Sequence, residues 1–120
     1  MDVVELTAET AEAFVARQPV TAILFFTPGA PRERELLTEF TSVANTFKEH
    51  VAFGSVDLTA AENAELLEEG VIVLTPTVIY YRFGKPAGED VGHEAVTKWL
   101  DRDSLVHFYG HTDTWLRLLQ

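Results

Sequence analysis

The stretch that decides the fold is Val71-Ile72-Val73-Leu74-Thr75-Pro76-Thr77-Val78-Ile79-Tyr80-Tyr81. Its apolar, β-branched and aromatic residues are typical of a buried strand with its approach, but Pro76 cannot donate a hydrogen bond to a neighbouring strand. The proline must therefore stand at the start of the strand, and we predict a core strand over residues 77–83. A Thr-Pro step between a helix that ends at Gly70 and a core strand also suits a cis peptide bond, which folds use where backbone stays open to a ligand.

Upstream of this stretch, apolar runs alternate with segments of helical periodicity. Residues 3–6, 20–26 and 51–57 are the candidate strands. The middle run is almost unbroken apolar sequence between prolines, as in a central strand that is covered on both faces. Thr7 can cap a helix that continues to about Arg17.

The helix after the second strand is the clearest helical pattern in the chain. Its apolar stripe repeats at intervals of four, three and four residues, formed by Leu36, Phe40, Val43 and Phe47. Pro31 suits the first turn of this helix. A charged opening, predicted to be a solvated face, consists of Arg32, Glu33, Arg34 and Glu35.

Caps and turns mark the remaining elements. Thr59-Ala60-Ala61-Glu62 has the capping-box pattern and predicts the start of a helix that Gly70 closes. Phe83-Gly84-Lys85-Pro86 predicts a hairpin turn into a short strand over residues 89–92. A last helix over residues 94–101 would have an inner face made of Ala95, Val96, Trp99 and Leu100.

The predicted order is β-α-β-α-β-α-β-β-α, which gives an α/β fold with a central mixed sheet and helices on both faces. This order, with Thr75-Pro76-Thr77 ahead of the fourth strand, resembles the thioredoxin fold, in which a cis-proline opens that strand beside the active-site loop. The resemblance predicts a thioredoxin-like domain over residues 1–104. Residues 105–120 are then an apolar C-terminal extension, a strand and a short helix that pack on the domain or begin a following one.

In thioredoxins and in the catalytic domains of protein disulfide isomerases, a Cys-X-X-Cys motif lies between the second strand and the second helix. The corresponding junction here is Thr27-Pro28-Gly29-Ala30-Pro31-Arg32-Glu33, and the whole chain has no cysteine. The buried acid of that family would fall on Leu24. Thiol-disulfide exchange needs a thiolate, so the resemblance implies a redox-inactive domain that is not an enzyme and uses no cofactor.

The cysteine-free pattern is closer to the non-catalytic domains of the protein disulfide isomerase family and to calsequestrin domains. The segments that resemble them are residues 3–7, 22–26 and 51–57, together with residues 99–109, which resemble the seam between consecutive domains. Their ligand groove combines the loop before the second helix with the approach to the cis-proline strand. In this chain those positions are Pro28, Gly29, Ala30, Pro31, Leu74, Thr75 and Pro76. An extended peptide could pair with backbone there as an added strand, whereas the alternative is that Pro76 is kept only as a structural turn.

The C-terminal extension is strongly apolar and must be buried on its own domain, on a missing neighbour or in a homodimer. Candidate interface residues are Phe108, Tyr109, Trp115, Leu116 and Leu119. His107, His111 and Asp113 lie close in sequence, but Gly110 argues for a loop and we predict no metal site. Solvated positions are predicted for the acidic pairs Glu68-Glu69, Glu89-Asp90 and Asp101/Asp103.

The formal net charge of −10 disfavours nucleic acid and anionic membrane as partners. The resemblance to the non-catalytic domains implies a protein or peptide partner, and a chaperone or scaffold role in the lumen of the endoplasmic reticulum. Two alternatives remain open: a stand-alone bacterial assembly chaperone in the cytoplasm, and a calsequestrin-like acidic module that binds calcium. An enzyme that uses a glutathione-type ligand at Pro76 is a more distant alternative.

Overall fold

A computed structural model describes residues 2–100 of the chain. The strands are β1 (Val3–Leu6), β2 (Val20–Phe26), β3 (Ala52–Asp57), β4 (Thr77–Arg82) and β5 (Lys85–Val91). The helices are α1 (Ala8–Ala16), α2 (Pro31–Phe47), α3 (Ala64–Glu68) and α4 (His93–Leu100), with a 3-10 turn over Ala61–Asn63 just before α3.

The strands form one five-stranded sheet in the order β1-β3-β2-β4-β5. The pairs β1–β3 and β3–β2 are parallel, whereas β4 is antiparallel to β2 and to β5. The predicted mixed sheet is therefore confirmed. Its parallel part comes from the strands that alternate with helices, and its antiparallel part comes from the terminal hairpin.

Each face of the sheet carries its own core, because β2 is buried along its whole length and alternates its side chains between the two faces. Leu24 and Phe26 pack on one face under α2 and α4, where the ring of Phe40 lies 5.5 Å from Phe53 and 5.4 Å from Trp99 between ring centroids. Residues of α1 and the segment before β4 cover the other face, where the core consists of Leu6, Val15, Ile23, Phe25, Val56, Leu58, Ile72 and Ile79.

The α3 region begins differently from the prediction. The Thr59 hydroxyl does not cap a helix; it donates to Asp57 Oδ1 at 2.6 Å, and the Thr59 N–H donates to the same oxygen at 2.8 Å. This local turn competes with the capping box, so the predicted helix start at Thr59 is wrong. The α-helical part begins only at Ala64.

The predicted burial of the approach to β4 is also wrong in part. Ile72 is buried, but Val71, Val73 and Leu74 are 58%, 78% and 56% exposed. The apolar run therefore divides into a core strand from Thr77 onward and an exposed apolar segment before Pro76. The Thr75–Pro76 peptide bond is cis.

The strand β5 starts at Lys85, earlier than the predicted residue 89, because Pro86 pairs with Tyr81 across a register shift.

No helix within residues 2–100 is long and apolar enough to cross a membrane. The predicted extension over residues 105–120, with the candidate interface residues Phe108, Tyr109, Trp115, Leu116 and Leu119, lies outside the described residues, as does the predicted boundary at residue 104.

Candidate functional site

The predicted groove residues come from two segments that meet at the carboxyl end of β2. One segment is the loop from Thr27 to Pro31, and the other runs from Leu74 to Pro76. The two hydroxyls of Thr27 and Thr75 lie 3.5 Å apart, which fixes the distance between the segments. We call the seven predicted positions the groove: Pro28, Gly29, Ala30, Pro31, Leu74, Thr75 and Pro76.

The loop side of the groove is shaped by the start of α2. Ala30 is the extended residue before the helix and Pro31 is the first helical residue, as the fixed φ of proline favours. The Ala30 N–H donates to the Thr27 carbonyl at 3.1 Å, which closes the loop on itself. Gly29 at its tip is exposed, and a Cβ added there would meet no atom within 4 Å. This side of the groove is open to an incoming chain.

Glu33 joins the two sides of the groove. Its side chain is buried, with the residue only 8% exposed, although it belongs to a run of charged residues. One carboxylate oxygen accepts the Thr27 N–H at 2.8 Å and the other accepts the Thr75 hydroxyl at 3.3 Å. The prediction that Glu33 lies on a solvated face is therefore wrong, because the carboxylate satisfies a loop N–H that would otherwise be buried without a partner.

The other side of the groove combines a fixed proline with exposed apolar side chains. Pro76 is buried and its carbonyl accepts the Gly92 N–H at 2.7 Å, while the Thr77 hydroxyl donates to the Leu74 carbonyl at 2.7 Å. The N–H and C=O of Thr75 make no hydrogen bond with any other residue in the range 2–100. Leu74 and, one residue earlier, Val73 lie beside this unpaired backbone and are exposed.

Beneath the groove the second strand is apolar. Leu24 is fully buried in the core under α2, with Val78 opposite it on β4. A hydrocarbon side chain cannot accept or release a proton. The position that would hold the buried acid of thioredoxins therefore offers no acid–base group to the groove.

A buried carboxylate does occur elsewhere, at Asp90 on β5. This residue is 1% exposed, and its oxygens accept the Tyr80 hydroxyl at 2.6 Å, Lys98 Nζ at 3.2 Å and Trp99 Nε1 at 3.3 Å. The prediction of a solvated Glu89-Asp90 pair is thus wrong for Asp90 and right for Glu89, which is exposed.

The environment of Asp90 shifts the titration of its neighbours. Burial, followed by the negative charge of Asp90, raises the pKa of Tyr80 well above its ordinary value. A hydrogen bond to Glu94 at 2.6 Å and the contact with Asp90 raise the pKa of Lys98. Both groups therefore hold their protons at neutral pH. The Asp90 carboxylate is then a hydrogen-bond acceptor surrounded by donors, and we assign this network a structural role.

Within the described part of the chain, no group of three or more His, Asp or Glu side chains is placed to hold a metal ion. His107, His111 and Asp113 lie outside those residues, so the sequence-based expectation about them stays a prediction. None of the seven groove residues carries a titratable side chain, and the chain has no cysteine. What the groove can supply is shape, free backbone groups and apolar contact.

Solved structures with a similar fold include several thioredoxins. Thioredoxin f from spinach chloroplast superposes with a TM-score of 0.72 at 19% identity, over 92% of this chain and 86% of that one. Thioredoxin f2 from Chlamydomonas reinhardtii gives 0.71 at 17% identity, over 91% and 94% of the two chains. A designed protein gives 0.69 at 24% identity, over 91% and 96%. The chain therefore has a thioredoxin-like fold, and it lacks the Cys-X-X-Cys motif.

The sequence itself is similar to protein disulfide-isomerase A5. The identity with the Mus musculus protein is 31% over 67 residues, which is 54% of this chain and 13% of that protein. With the Bos taurus protein it is 25% over 85 residues, which is 69% of this chain and 16% of that protein. The chain thus matches only a small part of the length of these relatives. No protein-family model matches the chain.

Proposed function

We propose that this chain, a thioredoxin-like domain without a Cys-X-X-Cys motif, is redox-inactive and binds an extended segment of a partner protein in its groove, in a chaperone or scaffold role. No covalent bond is made or broken in this function. Similarity to protein disulfide-isomerase A5 supports the lumen of the endoplasmic reticulum as the setting.

The observation that carries the proposal is the free backbone of Thr75 beside exposed apolar side chains. An extended peptide that lies along the approach to β4 can exchange main-chain hydrogen bonds with Thr75, as an added strand does. Val73 and Leu74 are 78% and 56% exposed, and they would lose contact with water when a peptide side chain covers them. Affinity would come from the backbone, and a preference for apolar segments would come from these two side chains.

The contacts of Glu33 support the same proposal, because they fix the groove before a ligand arrives. Its two carboxylate oxygens hold Thr27 on the loop side and Thr75 on the approach side. A groove that is already ordered avoids part of the entropic cost of binding. The partner then has to order only its own backbone.

Redox inactivity rests on the chemistry that the groove lacks. Disulfide exchange proceeds through attack by a thiolate, and the chain contains no cysteine to form one. Leu24 replaces the acid that would move a proton beneath the groove. The positions that surround the groove are suited to recognition, and a thiol would have to come from the partner.

The test is a chemical-shift titration of the 120-residue chain with an unfolded model polypeptide that contains no cysteine. Saturable perturbations at the amides of Ala30, Leu74 and Thr75 are expected. Perturbations that spare these amides and fall on other surfaces would contradict the proposal.

A matched pair of variants sharpens this test. Val73→Asp places a charge on the exposed approach, and we expect it to weaken polypeptide binding about fivefold or more, through the lost apolar contact. Phe83→Asp removes an apolar side chain that is 64% exposed in the β4–β5 turn, where the backbone has φ 51°, a conformation that Asp tolerates. Equal weakening by both variants would indicate general hydrophobic association and would contradict a defined groove.

A further inference from the structure

A second cleft lies at the carboxyl ends of the three parallel strands and shares only Pro28 with the groove. Its volume is about 530 Å³, and it opens between α2 and the 3-10 turn that precedes α3. In open α/β sheets, crevices outside the carboxyl ends of the strands are the usual ligand sites. The chemistry of the lining therefore indicates which ligand this cleft suits.

The charged residues around the cleft are predominantly acidic. Three carboxylates line it, those of Glu5, Asp57 and Glu62, and the one cationic side chain in the lining is Arg34. Glu5 and Glu62 are exposed at the rim. Three negative charges against one positive charge favour a cationic ligand.

Ser55 supplies an independent sign of a ligand. The residue is only 5% exposed and lines the cleft, yet its hydroxyl has no hydrogen-bond partner among residues 2–100. Within the described part of the chain, the enclosed side-chain oxygen without a partner is Thr21 Oγ1, so the Ser55 oxygen instead borders the open space of the cleft. A ligand N–H that enters the cleft would give this oxygen the partner it lacks.

The walls of the cleft are already formed. Asn63 is 2% exposed; its Oδ1 accepts the Ala8 N–H at 2.7 Å, and its Nδ2 donates to the Asp57 carbonyl at 2.8 Å. These bonds tie the 3-10 turn to the start of α1 and to the end of β3. The opposite side is apolar, with Leu37 half-buried on α2 and Phe26 on β2. A ligand with an apolar stem and a cationic head fits both sides.

We propose that this cleft binds a primary alkylammonium group, which is the chemistry shared by a lysine side chain and a free alkylamine. The ammonium lies among Glu5, Asp57 and Glu62 and donates to the Ser55 hydroxyl, and the methylene stem packs along Leu37 and Phe26. Arg34 opposes a second positive charge, so the site prefers a monocation to a diamine. This site is separate from the proposed function, and either can fail without the other.

The test is a chemical-shift titration of the 120-residue chain at constant ionic strength with Nα-acetyl-lysine N-methylamide. Saturable perturbations at Ser55, Glu62 and Leu37 are expected. The norleucine analogue, which has the same stem without the ammonium, should bind at least about fivefold more weakly. Equal binding of the two compounds, or perturbations that avoid the cleft, would overturn the proposal.

Free n-butylammonium distinguishes the two sources of the group. If the lysine derivative and butylammonium both bind at Ser55, the cleft accepts a lysine presented by a protein. If butylammonium alone binds, the ligand is a free amine. If neither binds, the proposal is wrong.

The carboxylate and arginine variants lie at exposed positions and keep the test independent of folding, and Ser55→Ala probes the buried hydroxyl. Glu62→Gln and Glu5→Gln should each raise the Kd of the lysine derivative about threefold, and Ser55→Ala should have a similar effect. Glu12→Gln is the matched control, since Glu12 is an exposed acid on α1 that does not line the cleft. Arg34→Gln should lower the Kd about twofold. A higher Kd in that variant would overturn the assignment, because it would show that the site requires a zwitterion.

Discussion

Single side chains determine how the two halves of the groove are held together. Glu33 occupies the third position of α2, which begins at Pro31, and a glutamate at this position commonly reaches back to a free N–H before the helix. Here the N–H belongs to Thr27. The same carboxylate also holds Thr75, so that a helix-capping interaction becomes a link across the groove.

The first prediction concerns this link. Glu33→Ala leaves the Thr27 N–H without an acceptor and should lower the free energy of unfolding by about 2 kcal/mol, since hydrogen bonds to charged groups are stronger than average. Urea unfolding measures the change. Glu35→Ala is the control, because Glu35 is exposed and pairs only on the surface with Arg32 at 3.4 Å; its effect should stay within about 0.5 kcal/mol. Equal effects of the two substitutions would show that Glu33 does not hold the loop.

A second residue gives a pH dependence. Burial, followed by the negative charge of Glu89, raises the pKa of Tyr81 from 10.0 to about 12. The folded state therefore retains this proton more strongly than the unfolded state. The contribution of Tyr81 to stability is complete below pH 10 and is lost as the pH rises toward 12.

The second prediction follows from that sign. The Tyr81→Phe variant has no phenolic proton to lose. Between pH 10 and 12 its free energy of unfolding should therefore decrease less than that of the parent chain. The expected difference is about 1 kcal/mol, a value reduced because the ring is partly exposed. Urea unfolding at pH 8, 10 and 12 gives both slopes, and the value at pH 8 isolates any packing effect. Tyr80 and Lys98 titrate in both proteins and cancel in the difference. Identical slopes would contradict the prediction.

At the level of elements, the network around Asp90 attaches α4 to the sheet. Asp90 lies on β5 and its donors come from β4 and α4. Trp99, on α4, is fully buried and also packs on Phe40 of α2. The helix is thus fixed by apolar packing from one side and by a buried carboxylate from the other.

The third prediction tests this attachment. Asp90→Ala removes the carboxylate that accepts hydrogen bonds from the Tyr80 hydroxyl, Lys98 Nζ and the Trp99 indole N–H, and it should cost about 3 kcal/mol of stability. Hydrogen exchange should show that the amides of α4 lose protection first. Glu89→Ala changes the exposed neighbour and should be close to neutral. Uniform loss of protection over all elements would show that Asp90 has no particular role at α4.

The same elements show what sequence alone can predict. The strands were found because unbroken apolar runs lie between prolines and glycines, and α2 was found because its stripe repeats with helical periodicity. The burial of Glu33 and Asp90 was missed, since a charged residue in a charged run is indistinguishable from a solvated one by pattern. Two features of the sequence pointed to this burial. Because Pro31 begins α2, Glu33 is the third helical residue, a position from which a glutamate side chain commonly accepts an N–H that precedes the helix. Trp99 on the predicted inner face required an acceptor for its indole N–H.

The start of α3 differs from the prediction for another reason, although the helix itself was predicted. The Thr59 hydroxyl can take part either in a capping box or in a turn with Asp57, and the local sequence is compatible with both arrangements. The groove residues were predicted from the family resemblance, and the structure brings the two segments together through Thr27, Glu33 and Thr75. The free hydroxyl of Ser55 could not be predicted, because it depends on the register of three strands.

For the whole molecule, the dominant property is its formal charge of −10. Repulsion among so many like charges opposes compaction, and dissolved salt screens it over a Debye length of about 10 Å at 0.1 M. The few ion pairs on the described surface, such as that between Lys48 and Asp2 at 3.6 Å, offset little of it. Salt should therefore stabilise this chain.

The fourth prediction is that an increase from about 0.02 M to about 0.3 M NaCl raises the Tm by about 3 °C. Circular dichroism measures the transition. Calcium chloride at the same ionic strength is the control, and it should give the same rise if calcium acts only by screening. A clearly larger rise with calcium would indicate specific binding and favour the calsequestrin-like alternative. A fall in Tm with NaCl would contradict the prediction.

The position of β1 at the edge of the sheet also affects how the chain is made. Val3 pairs with Phe53 and Leu6 pairs with Val56, so β1 leaves the ribosome well before β3, the strand that joins it to the sheet. At about 5–20 residues per second, the delay is on the order of several seconds. During that time Val3 and Leu6 have no sheet to pack on, and α1, which follows them directly, is the structure within reach. Residues 3–6 of the nascent chain are therefore open to a chaperone until β3 has been synthesised.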